Sequence, residues 1–68
     1  MEFKVETEQE EDGRWIAEIS SLSGVMKYGK SREEAISQVE ALALRVMADR
    51  IEQGEHPTEP IQITFAAA

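Results

Sequence analysis

The chain has 68 residues, with 14 Asp plus Glu against 7 Lys plus Arg and a formal net charge of -7. Residues 1–68 hold one domain and no more, and a domain this small buries only about 60% of the surface its unfolded chain exposes. The absence of cysteine excludes disulfides and thiolate metal sites, the single His56 does not build a zinc site alone, and self-association is left as reinforcement for a thin core.

Residues 2 to 8 alternate, with Phe3, Val5 and Thr7 on one side and Glu2, Lys4, Glu6 and Glu8 on the other. That period predicts a half-buried strand with one wet face. Gln9-Glu10-Glu11-Asp12-Gly13 then reads as a hairpin turn, with glycine supplying a positive φ. A second strand is expected from about Arg14 to Ser20, with Trp15, Ala17 and Ile19 on one face. Arg14, Glu18 and Ser20 share its other face, where Ile16 breaks the alternation. After the loop Ser21-Leu22-Ser23-Gly24, Val25 to Gly29 predicts a short third strand with Met26 and Tyr28 on one face. Short connections make an antiparallel meander the economical topology.

Ser31-Arg32-Glu33-Glu34 is a capping box, and Gly54 supplies a stop, so a helix is expected from about Arg32 to Gln53. His56, Pro57 and Pro60 oppose its continuation. Ile61-Gln62-Ile63-Thr64-Phe65 predicts a fourth strand, and Ala66 to Ala68 a frayed tail. The fold class that follows is α+β, in the order β-β-β-α-β. The expected strand order is 3-2-1-4, with the last strand parallel to the first because a helix crossover permits it.

On the helix, 100° steps place Ala35, Val39, Leu42, Ala43 and Val46 on one face with Ile36 at its edge, the face expected to pack on the sheet. A second stripe, Leu44, Met47, Ala48 and Ile51, lies to one side of it. One small sheet covers one stripe well. The second is therefore the candidate self-association surface, giving a dimer or tetramer. The competing reading is that the last strand or the 55–60 loop folds over it.

No constellation for catalysis stands out. A nucleophile needs a base and an orienting partner, and here the only histidine, His56, precedes a proline in a loop after the helix. The acidic run Glu6, Glu8, Glu10, Glu11 and Asp12 reads either as a two-metal nuclease site or as a solvated charged hairpin, and solvation is the commoner fate of a charge run. The expectation is a non-enzyme with no cofactor and no metal. An acidic surface repels phosphate backbones, so no direct nucleic acid binding is expected, whereas a basic protein partner is attracted. Glu10, Glu11, Asp12 and Trp15 are the candidate residues for that partner. Met1 to Glu6 lacks a basic stretch followed by an apolar one, and no run nears the ~20 apolar residues of a membrane span, so a cytoplasmic protein is expected.

Three segments together resemble the HicB family of antitoxins from type II toxin–antitoxin pairs. They are Glu11-Asp12-Gly13-Arg14-Trp15-Ile16-Ala17, then Leu22-Ser23-Gly24, then Tyr28-Gly29-Lys30-Ser31-Arg32-Glu33-Glu34-Ala35. The resemblance covers about residues 2 to 56 and rests on their order and spacing. It implies a degraded ribonuclease-H-like domain that self-associates and blocks a HicA toxin, a small basic RNA-cleaving protein. Ser23 departs from the family's usual Leu-Pro-Gly. Many members carry a C-terminal ribbon-helix-helix or helix-turn-helix module, and none is read in these residues, so operator binding is not expected. The family also includes orphan HicB-like oligomeric modules with no toxin.

Overall fold

The computed structural model describes residues 1–55 and 60–67; His56 and Pro57, to which the sequence assigned a loop, lie outside the described residues, as does Ala68. The elements are β1 (Glu2–Gln9), β2 (Trp15–Glu18), β3 (Met26–Gly29), α1 (Arg32–Glu52) and β4 (Thr64–Ala67). They form a four-stranded sheet in the order β3-β2-β1-β4, with α1 against one face. The meander β1-β2-β3 is antiparallel and β4 runs parallel to β1, so the sheet is mixed.

Strand β1 is the seam of the sheet. Its first half, Glu2 to Val5, pairs with Thr64 to Ala67, and its second half, Glu6 to Gln9, pairs with Glu18 to Trp15. The alternation of the sequence fixes which side is dry. Phe3, Val5, Ala17, Ile19 and Val25 are buried beneath α1, while Glu2, Lys4, Glu6, Glu8, Glu18, Met26 and Tyr28 are exposed.

The first hairpin closes through residues 10 to 14. The Glu10 N–H donates to the Arg14 carbonyl at 2.7 Å, and the Gly13 N–H donates to the Glu10 carbonyl at 2.9 Å. Gly13 has φ +92°, a left-handed conformation that glycine adopts without a Cβ clash. Strand β2 is consequently shorter than the expected 14 to 20, because Arg14 is used by the turn. From Ile19 the chain turns back: the Ile19 N–H donates to the Val25 carbonyl at 3.0 Å, and Leu22 is buried within the loop.

Helix α1 starts where the capping residues place it. The Ser31 Oγ accepts from the Glu34 N–H at 3.1 Å. Glu34 reaches back to accept from the Lys30 N–H at 2.9 Å, one residue earlier than the reciprocal bond of a standard capping box. Gly29 explains why β3 and α1 sit so close. A Cβ there would lie 2.4 Å from the Ala35 nitrogen and 2.9 Å from its Cα. Gly29 is thus a packing glycine at a strand–helix joint rather than a turn glycine. Gly54, with φ +88°, ends the helix, and its N–H donates to the Ile51 carbonyl at 3.0 Å.

Ala35, Val39, Ala43 and Met47 form the buried row of α1, with Ile36, Leu42 and Val46 packed against the core. Burial therefore reaches Met47, which the sequence placed on the second stripe. The reason is geometric: Met47 continues the i+4 row through Ala35, Val39 and Ala43, and that row faces the sheet.

The fourth strand differs from its expected bounds. It occupies 64–67 rather than 61–65, and Ala66 and Ala67 pair with Lys4 and Val5 instead of fraying. Phe65 sets this register by packing against Phe3, with ring centroids 5.8 Å apart at 34°. Gln62 and Met1 still touch, the Met1 amino group donating to the Gln62 carbonyl, and Ile63 packs against the core. These residues lie outside the ladder.

Candidate protein-docking surface

Three exposed regions are candidate docking surfaces, and two of them, the hairpin tip and the helix stripe, are those to which the sequence assigns binding. The first is the acidic hairpin tip. Asp12 and Arg14 lock it locally: the Asp12 carboxylate accepts from the Arg14 N–H at 3.0 Å and from its Nε at 2.8 Å. These bonds to the Arg14 backbone and then to its side chain hold the Asp12 carboxyl below its ordinary range. One of the tip's acids is therefore already engaged with the chain's own cation. Glu11 is exposed, whereas Glu10 is half-buried and lines both the tip and the adjoining depression of the sheet. Trp15 does not join them, because it lies on the dry side and packs against the core. Alternation accounts for this: Trp15 shares the phase of Ala17 and Ile19.

The second region is the open face of the sheet, opposite α1. The ladders align Glu8, Ile16 and Tyr28 in one row across β1, β2 and β3, and Glu6, Glu18 and Met26 in the next. Met26 is 45% exposed and Tyr28 42%. Glu6, Thr7, Glu8, Glu10, Ile16 and Glu18 line a depression of about 210 Å³. The Arg14 guanidinium lies over the Tyr28 ring at 4.5 Å from its centroid. Glu6 and Glu18 are direct cross-strand neighbours of the same sign, an arrangement that costs a sheet stability. The Glu6 carboxylate accepts a long bond from the Ser20 hydroxyl at 3.4 Å.

Sequence reasoning placed Met26 and Tyr28 together but did not assign their face to a site. The signal was available in Ile16, the apolar residue that broke the alternation of β2 among polar neighbours. Its meaning depended on cross-strand register, which aligns it with Tyr28.

The third region is the helix stripe. Leu44 is 47% exposed and Ala48 is exposed, while Ile51 is half-buried and Met47, at 8%, belongs to the core. The exposed part of this stripe is thus Leu44 and Ala48 with the edge of Ile51.

Among the described residues, no group of three or more histidine, aspartate or glutamate side chains converges in a way that could hold a metal ion. Glu6 and Glu8, the candidate metal ligands of the nuclease reading, are successive outward residues of β1. Among the same residues no helix is long and apolar enough to cross a membrane. His56 lies outside the described residues.

No family model, curated protein or solved structure matches this chain.

Proposed function

We propose that the chain is a non-enzymatic HicB-like antitoxin domain that neutralises a small basic ribonuclease toxin of the HicA type by occluding its RNA-binding surface. The observation that carries this reading is the fit between the signature segments and the joints of the fold. Glu11-Asp12-Gly13-Arg14 makes the first hairpin, with Gly13 at positive φ. Gly29-Lys30-Ser31-Arg32-Glu33-Glu34-Ala35 makes the strand–helix joint, where Gly29 admits Ala35, Ser31 caps and Glu34 reaches back. Gly13, Gly29, Ser31 and Glu34 each have a mechanical reason to be of their type. The net charge of -7 supports a basic partner, because opposite charge speeds encounter and favours docking. Under this reading the β-β-β-α-β order is a degraded ribonuclease-H-like domain, and the protein works in the cytoplasm as a homo-oligomer without binding nucleic acid itself.

Co-expression tests it. The chain should relieve growth arrest caused by a short basic protein encoded next to it and should co-purify with that protein. An adjacent gene of that kind whose toxicity is unrelieved, or the lack of any such gene, would sink the reading.

The exposed Leu44 and Ala48 favour a second reading, an orphan HicB-like oligomeric module with no toxin. A stable oligomer in a genome with no adjacent toxin gene would select it.

A further inference from the structure

The open face of the sheet combines two properties that a merely solvated surface does not need together. It holds three apolar side chains spread over two adjacent rows, Ile16 and Tyr28 in one and Met26 in the next, with Met26 and Tyr28 each more than two-fifths exposed. It also holds carboxylates set directly beside them by the strand register, with Glu8 across from Ile16 and Glu6 across from Glu18. The like-charged Glu6 and Glu18 pair works against the fold, since same-sign neighbours across a ladder repel. Nothing in the packing of the described residues calls for it, because both side chains are exposed.

The chain itself shows what such a face accepts. Arg14 lays its guanidinium over Tyr28 at 4.5 Å while a carboxylate, Asp12, holds its Nε at 2.8 Å. Aromatic face and carboxylate together are the two complements of a guanidinium, one for its plane and one for its N–H fork. The neighbouring depression of about 210 Å³ supplies the carboxylate half of that chemistry, with Glu6, Glu8, Glu10 and Glu18 around Thr7 and Ile16.

We propose that this open face, rather than the hairpin tip, is the docking surface for a basic protein, with an arginine side chain of the partner held by Glu6, Glu8 and Glu18 and its stem covered by Ile16 and Met26, beside the Tyr28 ring that Arg14 already covers. The inference rests on the reading of the chain as a binder of a basic protein. A second copy is the poorer occupant. A two-fold sandwich of this face would set Glu6, Glu8 and Glu18 of one chain against the same carboxylates of the other. An arginine-bearing partner instead relieves the Glu6–Glu18 repulsion that the free domain carries.

Hexa-arginine peptide is the probe, titrated into ¹⁵N-labelled protein at low and physiological salt. Amide shifts are expected to concentrate on residues 6, 8, 16, 18, 26 and 28. Glu6→Gln with Glu18→Gln should weaken peptide binding about tenfold. Glu11→Gln with Glu33→Gln removes the same two charges from the tip and the helix, and should weaken it less than twofold. The amide spectrum of each variant confirms that it is folded. Glu18→Gln alone should also raise the thermal midpoint by about 2 °C, as one repulsive neighbour is removed. Equal losses in the two double variants would show diffuse attraction only and overturn the proposal, as would absent binding or shifts centred on the tip or α1. These outcomes are independent of the co-expression test. A mapped face with no adjacent toxin would defeat the antitoxin reading alone, and equal losses alongside toxin relief would defeat this inference alone.

Discussion

Gly29 and Gly13 show how differently one residue type is used in this chain. Gly13 is needed for its backbone angle: φ is +92°, yet a Cβ there would meet nothing within 4 Å. Gly29 is needed for its missing atom, since a Cβ would meet the Ala35 backbone at 2.4 Å. Backbone of a capped helix yields less readily than a flexible side chain. Gly29→Ala is therefore expected to destabilise the domain by about 3 kcal/mol, at the upper end of overpacking costs. Gly13→Ala should cost about 1 kcal/mol, the penalty of a left-handed non-glycine residue. Urea unfolding of both variants checks the order, and a larger loss at Gly13 would refute the packing role given to Gly29. Gly29 could be flagged in the sequence only as part of a signature. The close approach that explains it needs β3 and α1 in place. Ser31 was legible in full, because a capping residue acts within four positions of itself.

Helix α1 is the element whose ends were most legible and whose faces were least so. Its start follows from the Ser31 Oγ accepting from the Glu34 N–H at 3.1 Å. Ser31→Ala removes that acceptor and should cost about 1 kcal/mol. For a domain of this size that lowers the melting midpoint by roughly 4–8 °C, measurable by circular dichroism. No change would mean that the bond from Lys30 N–H to Glu34 carries the start of the helix alone. The faces were harder to read because a 21-residue helix rotates its contact line as it crosses a twisted sheet. The buried row Ala35, Val39, Ala43 and Met47 drifts around the helix at about 40° per step of four. It therefore takes Met47 out of the stripe that periodicity assigned to self-association. Strand β4 shows the same limit. Alternation made Ile61, Ile63 and Phe65 equivalent, and only the packing of Phe65 on Phe3 selected 64–67 as the paired segment.

For the whole molecule, the arrangement of the described residues leaves one face of the sheet uncovered and a narrow strip of the helix apolar. Those two surfaces belong to different partners in the functional reading, a basic protein and a second copy. Leu44→Glu with Ala48→Glu puts charge on the helix strip without touching the core, and is expected to convert an oligomer to a monomer in sedimentation velocity. Met47→Glu is unsuited to that purpose, since a charge at a buried position would unfold the domain. An unchanged mass for the Leu44 and Ala48 variant would remove the helix from the interface. The sequence by itself determined the element order, the dry side of β1, the shared face of Trp15, Ala17 and Ile19 on β2, the helix start and stop and the acidic character of the surface. Those properties arise from residues within a few positions of one another, where period, capping and charge act directly. Tertiary structure alone decided the register of β4, the burial of Met47, the exposed side of β3, and the meeting of Ile16, Met26 and Tyr28 with Glu6, Glu8 and Glu18. Those outcomes depend on which strand lies beside which, and a one-residue slip in any ladder would have dispersed the face.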